Sequence, residues 1–209
     1  MTEINQQQEE KIMNQLKFLW NSVFEMNSYF CIIEQYYENG TNFKEEMQIS
    51  PAFYHYTYNA LIVATFSEVT RMYDSNSKSN LMSFLKYCKD NQDLLLKIHK
   101  RSGSGWVSDE RLNEKLCGFI TQIEELSSDL KKLKTQRDKI YSHNDSKKQE
   151  DLNKIISNNP LFLDDMKRMI KVATNSLTFV QALLTNINKK PYAKNIGDWK
   201  ETLLRVKLE

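Results

Sequence analysis

The chain has 209 residues, and its 40% hydrophobic and 27% charged fractions are those of a folded globular protein. A formal net charge of +2 excludes strong global attraction to nucleic acids or anionic membranes, so any site for a polyanion must come from local clustering. With only 5 Gly and 3 Pro, the composition disfavours a β-rich fold and favours long helices.

The sequence shows no signals of secretion, membrane insertion or metal binding. Its polar start, Thr2 to Gln6, has no signal-peptide apolar core, and no apolar run approaches the roughly 18 residues that span a bilayer. The 3 Cys are far apart within apolar patterns, as expected of buried reduced thiols, and form no zinc-binding spacing. We therefore expect a cytoplasmic protein with no metal, no cofactor and no membrane contact.

The first predicted helix runs from about Asn5 to Asn39, and Gly40 supplies its stop. Its apolar residues recur at alternating steps of four and three, a heptad stripe that we expect to face a helical core. The stripe consists of Ile12, Leu16, Leu19, Val23, Met26, Phe30, Ile33 and Tyr37.

Pro51 opens the second predicted helix, at the first helical position, where its missing N–H costs nothing. Near the end of this helix, Glu68, Arg71 and Asp74 follow one another at steps of three and share one side of the last turns. A solvated ion pair is an alternative explanation of these residues. The predicted core face consists of Tyr56, Ala60, Val63, Phe66, Val69 and Tyr73.

Two short helices are predicted next, around 81–88 and 94–98. A long helix then begins near Ser108 and ends between Tyr141 and Asp145. Its apolar stripe again alternates steps of four and three until an Arg takes an apolar place. The stripe positions are Leu112, Leu116, Phe119, Ile123, Leu126, Leu130, Leu133, Arg137 and Ile140.

The last third of the chain predicts a short helix at about 147–157 and a long helix introduced by Asn159-Pro160 and stopped by Lys189-Lys190-Pro191. The expected core stripe of the long helix consists of Met166, Ile170, Ala173, Leu177, Val180, Leu184 and Ile187.

These elements predict an all-α fold in which residues 1–189 form a helical bundle. Residues 190–209 form a C-terminal tail with a short amphipathic helix, beginning at a capping-box pattern from Asp198 to Glu201. The tail could dock on the bundle or on a partner.

Arg137 is unexpected in an apolar stripe, because a charge in a helix–helix seam is costly unless it is paired or lines a cavity. Either the seam opens to water there, or Arg137 reaches a carboxylate such as Glu68 or Asp138. His143 follows six residues later, about 120° away around a regular helix. A second copy of the helix across a two-fold axis would bring two Arg and two His into one cleft.

An Arg and a His without a metal suit the cleavage of RNA. Histidine moves protons near neutral pH, and arginine binds a phosphate in a bidentate fork. RNA supplies the 2′-OH nucleophile that DNA lacks. Surrounding lysines could hold the polyanion, although a charged run on a helix is more often a solvated face. The candidates for RNA contact are Lys134, Lys139, Asn144 and Lys147.

The segment RDKIYSHND at 137–145 resembles the R-x(4–6)-H motif of HEPN domains, and its R-D-K-x-x-x-H-x-D arrangement resembles the abortive-infection AbiU-type branch. The segment EVTRMYD at 68–74, with the Ser-rich connection after it, is similar to the end of that branch's helix 2. The resemblance spans roughly Asn59 to Asp145. Some HEPN toxins carry a Tyr two residues after the His; Asp145 stands there in this chain, so control by modification at that site is not expected.

The resemblance implies a HEPN-like four-helix bundle with additional short helices. It implies a homodimer whose paired motifs form one metal-independent endoribonuclease cleft, in which Arg137 binds the scissile phosphate, His143 transfers a proton or contacts the phosphate, and Asp138 orients Arg137. The residues that would line this cleft from helix 2 are Glu68, Arg71 and Asp74.

The implied role is phage defence by abortive infection, or action as a toxin, with RNA as the substrate and an antitoxin or another defence protein as a partner. The alternative is a non-catalytic helical module that binds RNA, a nucleotide or a partner protein.

Overall fold

The structure, a computed structural model, describes residues 3–103, 105–141 and 149–206. Every regular element in these ranges is helical, which confirms the all-α fold class. The elements are α1 (Glu3–Asn39), α2 (Lys44–Gln48), α3 (Pro51–Tyr73), α4 (Leu81–Asp90), α5 (Gln92–Arg101), α6 (Asp109–Glu125), α7 (Ser127–Gln136), a π-helical turn (Arg137–Tyr141), α8 (Gln149–Asn158), α9 (Leu163–Thr185) and α10 (Asp198–Leu203).

Contacts of α1 show how the bundle is assembled. Asn27 donates a hydrogen bond to Thr174 of α9 over 2.8 Å, and further along α1 Glu34 accepts one from Lys167 over 2.6 Å. Residue numbers rise along α1 as they fall along α9, so the two helices are antiparallel. The predicted bundle is therefore present, built from α1, α3, α6 with α7, and α9, while α4 and α5 pack against α6 and α9.

The heptad stripe of α1 forms the centre of the core. Its residues from Ile12 to Ile33 are all buried, as predicted. Tyr37 is the exception, with 73% of its surface exposed. It lies beyond Glu34, the residue that pairs with Lys167 in the first turns of α9, so α1 extends past the part of the bundle that α9 covers.

The predicted long helix from Ser108 onward is wrong in its continuity, because it is divided at Leu126 into α6 and α7. The amide of Leu126 bonds to the carbonyl of Ile123 over 3.2 Å, a three-residue spacing that tightens the helix there. Ser127 and Ser128 follow, and Ser is a weak helix former because its hydroxyl competes for backbone hydrogen bonds. The predicted stripe nevertheless reaches the core in both helices, at Leu112, Leu116, Ile123, Leu126 and Leu133.

The predicted core face of α3 is correct only in its second half. Phe66 and Val69 are buried, and Tyr73 packs against the core. The predicted core residues Tyr56, Ala60 and Val63 are exposed instead. The first half of α3 uses a different side, on which Tyr54 and Tyr58 meet Tyr36 of α1 at ring-centroid distances of 6.2 and 5.9 Å.

Both predicted ends of α9 are wrong by several residues. The helix begins at Leu163, because the carboxylate of Asp165 accepts a hydrogen bond from the Phe162 amide over 3.0 Å and closes the first turn there. It ends at Thr185, since Asn186 adopts the left-handed conformation with φ of 53°. Ile187, a predicted core residue, is consequently 55% exposed.

The C-terminal tail docks on the bundle. The ring of Trp199 stacks on Tyr36 with centroids 4.6 Å apart, and its Nε1 donates to Oε1 of Gln35 over 3.1 Å. Leu203 is buried. The predicted side-chain cap at the start of α10 is not formed; Gly197 is the N-cap residue. Within the ranges that the structure describes, no helix has the length and apolarity needed to cross a membrane.

Candidate functional site

Arg137 lies where α7 passes into the π-helical turn. Its side chain is 27% exposed; Nε donates to Oδ1 of Asp138 over 2.7 Å, and Nη2 donates to the same oxygen. Asp138, one of the two carboxylates expected from the sequence, is therefore the partner of Arg137, and Glu68 pairs with Arg71 instead. Because the guanidinium is paired and reaches solvent, Arg137 carries little of the penalty of a buried charge. Single π-helical turns are rare in proteins, and those that occur are often found at functional sites.

Gln136, and not Arg137, takes the buried place that follows Leu133 in the apolar stripe. Gln136 is only 5% exposed, and its Nε2 donates to the backbone carbonyl of Asn159 over 2.5 Å. The buried stripe therefore continues three residues after Leu133, at Gln136, and Arg137 lies at the edge of the helix–helix seam. The buried Gln136 also ties the end of α7 to the connection between α8 and α9.

An open groove of about 340 Å³ runs between the end of α3 and α7. Asp74 borders it on the α3 side, and Lys131 and Lys134 border it on the α7 side, in the two helical turns before Arg137. Of the residues predicted for the site, the structure brings Asp74 and Lys134 into this one groove. The complete lining is Thr70, Tyr73, Asp74, Ser75, Ser127, Leu130, Lys131, Leu133 and Lys134, which we call the α3–α7 groove.

Tyr73 forms a fixed wall of the α3–α7 groove. Its hydroxyl donates to the carbonyl of Met169 over 2.6 Å, and burial raises the pKa of the phenol above its ordinary value of 10.0. A phenol held neutral in this way does not act as an acid or base near pH 7. Tyr73 is therefore a structural part of the groove wall and not an acid or base.

Glu68 and Arg71 lie outside the groove, on the flank of α3 that faces α1. Arg71 Nη2 is 2.5 Å from Oε2 of Glu68 and donates to the hydroxyl of Ser22 over 2.9 Å. The guanidinium also lies 5.7 Å from the ring centre of Phe18. Glu68 and Arg71 thus form an ion pair within α3, as in the alternative that the sequence left open, and Arg71 also bonds to Ser22 of α1. Glu68 and Arg71 thus do not share a surface with Asp74.

Several predicted site residues fall at or beyond the limit of the described chain. Lys139 lies in the π-helical turn and is exposed. His143, Asn144 and Lys147 lie outside the described residues, as does Asp145. The predicted positions of these four side chains relative to Arg137 therefore stay predictions.

The other two histidines are placed away from the α3–α7 groove. His99 is buried, and its Nδ1 is 3.0 Å from the carbonyl of Leu183, while its ring packs edge-on against Trp106. His55 is exposed on α3 with its Nε2 3.1 Å from Nδ2 of Asn59. His143 therefore remains the histidine proposed for chemistry. Among the described side chains, His, Cys, Asp and Glu form no group of three that could hold a metal ion.

Two features of the site were not among the predicted site residues. Lys131 precedes Lys134 by three positions as Lys134 precedes Arg137, so an i, i+3 spacing in the sequence was the available signal. Gln136 gave no comparable signal, since a polar residue beside an Arg is usually exposed. Only the hydrogen bond from Gln136 to Asn159 identifies Gln136 as a residue that supports the end of α7.

The chain as a whole matches a known protein family. The family model described as AbiU2, a HEPN family, covers residues 9–202. The chain belongs to the AbiU2 family of HEPN domains. The match begins in α1 and ends in α10, so the AbiU2 domain includes the α3–α7 groove, Arg137 and the docked tail helix. It is an abortive-infection-type domain. Searches of curated proteins and of solved structures gave no match.

Proposed function

We propose that this AbiU2 domain is a metal-independent endoribonuclease of phage defence, acting in the cytoplasm as a homodimer. The observation that carries the proposal is Arg137, held by Asp138 at a π-helical turn, at the end of a lysine row that borders the α3–α7 groove. Membership of a HEPN family supports the same conclusion. A toxin restrained by a partner protein would have this same ribonuclease activity, and only its regulation would differ.

The groove suits the backbone of RNA. Lys131, Lys134 and Arg137 follow one another at steps of three, about 4.5 Å apart along the helix axis. Such a row follows the phosphates of a single strand, which binds mainly through charge. The exposed Lys139 adds a further positive charge in the π-helical turn.

The reaction needs a nucleophile, a proton acceptor and a group that stabilises charge on the phosphate. The 2′ oxygen of the substrate attacks the adjacent phosphorus, the bond to the 5′ oxygen breaks, and a 2′,3′-cyclic phosphate forms. His143 takes the 2′ proton or supplies one to the leaving 5′ oxygen. Arg137 stabilises the extra negative charge of the transition state through its guanidinium fork.

Cleavage of RNA with EDTA present tests the proposal. We expect wild-type protein to cut RNA and to spare DNA of the same sequence. His143→Ala should lower the rate by about 10² to 10⁴, and Arg137→Ala by about 10² to 10³. Arg111→Ala is the matched control, because it removes an exposed Arg of α6 that does not line the groove.

Failure of the wild type to cut, or full activity in both Arg137→Ala and His143→Ala, would contradict catalysis by this site. RNA that is bound but left intact would instead favour the alternative of a non-catalytic module. Binding by a free tail is the less favoured form of that alternative, since Trp199 already stacks on Tyr36 of the bundle.

A further inference from the structure

A pocket with apolar walls lies where α1, α3, α8 and the start of α9 meet. Its volume is about 240 Å³, and its walls include Ile33 of α1, Ile62 of α3 and Met166 of α9; we call it the apolar pocket. Ile33 and Met166 are buried, whereas Ile156 at its rim is 46% exposed. An apolar cavity of roughly 150 Å³ already admits a benzene ring. The apolar pocket therefore has room for one large apolar side chain.

An open groove of about 510 Å³ adjoins the apolar pocket. Residues 161–163 line both cavities, so the two are direct neighbours. The ionisable side chains that line the groove are three carboxylates and one ammonium, and we call it the acidic groove. They are Glu34, Glu38, Asp164 and Lys167.

Negative charge dominates the acidic groove. Lys167 Nζ lies 2.6 Å from Oε1 of Glu34, so these two charges offset each other. Glu38 and Asp164 are exposed and form no ion pair in the described part of the chain. The pKa of Lys167 is raised, mainly by its hydrogen bond to Glu34 and also by the charges of Asp164 and Glu38. The groove therefore attracts cations and repels phosphates, in contrast to the lysine row of the α3–α7 groove.

Two aromatic side chains line the acidic groove and are largely exposed. Tyr37 is 73% exposed at the end of α1, and Phe162 is 68% exposed just before α9. Aromatic faces bind guanidinium and ammonium groups through cation–π contacts, and exposed aromatic residues are enriched where proteins meet. An arginine or lysine side chain would find both an aromatic face and a carboxylate in this groove.

The two cavities are spaced for one extended peptide. Ile33 of the apolar pocket and Tyr37 of the acidic groove are four residues apart on α1, about 6 Å along the helix axis. In an extended chain, every second side chain points to the same side, at a spacing of about 6.6 Å. An apolar residue and a basic residue two positions apart therefore reach both cavities at once.

We propose that the apolar pocket and the acidic groove together are the docking site for an extended segment of a partner protein, in which an apolar residue stands two positions from an arginine or lysine. The apolar side chain enters the pocket beside Ile156. The basic side chain lies against Tyr37 and Phe162 and pairs with Glu38. RNA does not fit this site, because its phosphates would meet the carboxylates of the groove.

The docked segment contacts the residue that supports the end of α7. Gln136 lines the apolar pocket, and its Nε2 donates to the carbonyl of Asn159, two residues before Leu161. A side chain that fills the pocket adds packing contacts to Gln136 and so restrains the end of α7, next to Arg137. An effect of the partner on RNA cleavage rests on the proposed function; the docking site itself does not.

Selection of phage-displayed peptides on the full chain tests the docking site. We expect the enriched peptides to share an apolar residue two positions from an arginine or lysine. Fluorescence anisotropy of one such peptide, made synthetically, measures its dissociation constant. Glu38→Lys should raise this constant at least about tenfold by reversing a charge of the groove, and Ile156→Glu should do the same by charging the rim of the pocket.

Each variant has a matched control. Glu114→Lys reverses an exposed charge of α6 that lines neither cavity. Ile187→Glu charges an exposed apolar residue after α9. We expect both to bind the peptide as wild-type protein does. Circular dichroism verifies the fold of every variant.

A charge exchange makes the test independent of any loss of structure in Ile156→Glu. The same peptide with glutamate in place of its basic residue should bind Glu38→Lys more tightly than it binds wild-type protein. No enriched peptides, enriched peptides without a basic residue, or undiminished binding in Glu38→Lys would each overturn the docking site. A wild-type dimer that Glu38→Lys dissociates without any peptide would identify a second copy as the occupant and would equally overturn it.

The docking site and the ribonuclease fail in different ways. We expect the bound peptide to slow amide hydrogen exchange across residues 133–139, a readout of the end of α7 that needs no RNA. Peptide binding by a protein that cuts no RNA would leave the docking site standing and remove the ribonuclease. RNA cleavage by a protein that enriches no peptide would leave the ribonuclease standing and remove the docking site.

Discussion

Arg137 and Asp138 are adjacent in sequence and joined by two hydrogen bonds to a single oxygen: both Nε and Nη2 of the guanidinium donate to Oδ1, with Nε 2.7 Å away. The contact fixes the direction of the Arg137 side chain where the helix is least regular. Neither bond uses the other terminal nitrogen of the fork, which can therefore donate to a phosphate. We therefore propose that Asp138 positions Arg137, the role that the family resemblance implies.

Replacing Asp138 tests this positioning role. We expect Asp138→Ala to lower kcat about tenfold, since the guanidinium loses a charge-assisted hydrogen bond that orients it. KM should stay the same or fall, because a negative charge beside the phosphate site is removed. Steady-state kinetics on an RNA substrate measure both constants. Glu124→Ala, an exposed carboxylate of α6, is the control, and an unchanged kcat in Asp138→Ala would show that Arg137 needs no such support.

The buried Gln136 supports the end of α7, and its loss should destabilise the protein. Gln136→Ala leaves the carbonyl of Asn159 without its 2.5 Å partner and opens a small cavity. We expect the free energy of unfolding to fall by about 1 to 3 kcal/mol. Chemical denaturation measures it, with the exposed Gln122→Ala as the comparison. Equal stability of the two variants would mean that the contact contributes nothing.

The buried thiol of Cys88 should make the protein less stable at alkaline pH. The thiol is fully buried, and burial raises its pKa from 9.0 to about 12. Well below pH 9.0 the thiol is neutral in both the folded and the unfolded protein, and its burial contributes fully to stability. As the pH rises towards 12, the thiol ionises first in the unfolded chain, so the free energy of unfolding falls.

Denaturation at about pH 8 and about pH 10.5 should show this loss in wild-type protein and a smaller loss in Cys88→Ala. Cys117→Ala serves as the control, since Cys117 and Cys31 are only partly buried, in contrast to the expectation from their apolar surroundings. The same pH dependence in all three proteins would exclude Cys88 as its source.

Trp199 holds the tail on α1. Trp199→Ala removes the stacking on Tyr36 and the hydrogen bond to Gln35. We expect amide hydrogen exchange in the tail, residues 192–206, to become at least about tenfold faster, while the bundle core exchanges as before. Leu204→Ala is the control, because this tail residue is 64% exposed. Unchanged exchange in Trp199→Ala would show that other contacts hold the tail.

Much of the fold could be predicted because the apolar periodicity of a helix records which side is buried. The stripe of α1 from Ile12 to Ile33 is buried as predicted, and so is most of that of α6 and α7 from Leu112 to Leu133. Local signals were less reliable where several competed: Asn159-Pro160 resembles a helix start, yet the bond from Phe162 to Asp165 sets it at Leu163. The short α2 gave no periodic signal because it has only a few residues and none of them is buried.

The candidate site, like the fold, could be predicted from the sequence only in part. The sequence by itself singled out Arg137 and Asp138, because a charge in an apolar stripe needs a partner, and the structure supplies that partner. Only the tertiary structure could decide that Arg71 faces Ser22 of α1 while Asp74 faces the groove, since a small rotation around α3 separates the two directions.

The sequence determined that α3 is apolar on more than one side, and tertiary structure alone decided which side is covered. Tyr54 and Tyr58 meet Tyr36 of α1, and Phe53 and Tyr56 are left exposed. Periodicity reports where apolar residues lie on a helix, but burial depends on which neighbouring helices reach that face. In this protein the described neighbours within the chain cover one face of the first half of α3 and leave the face with Phe53 and Tyr56 exposed.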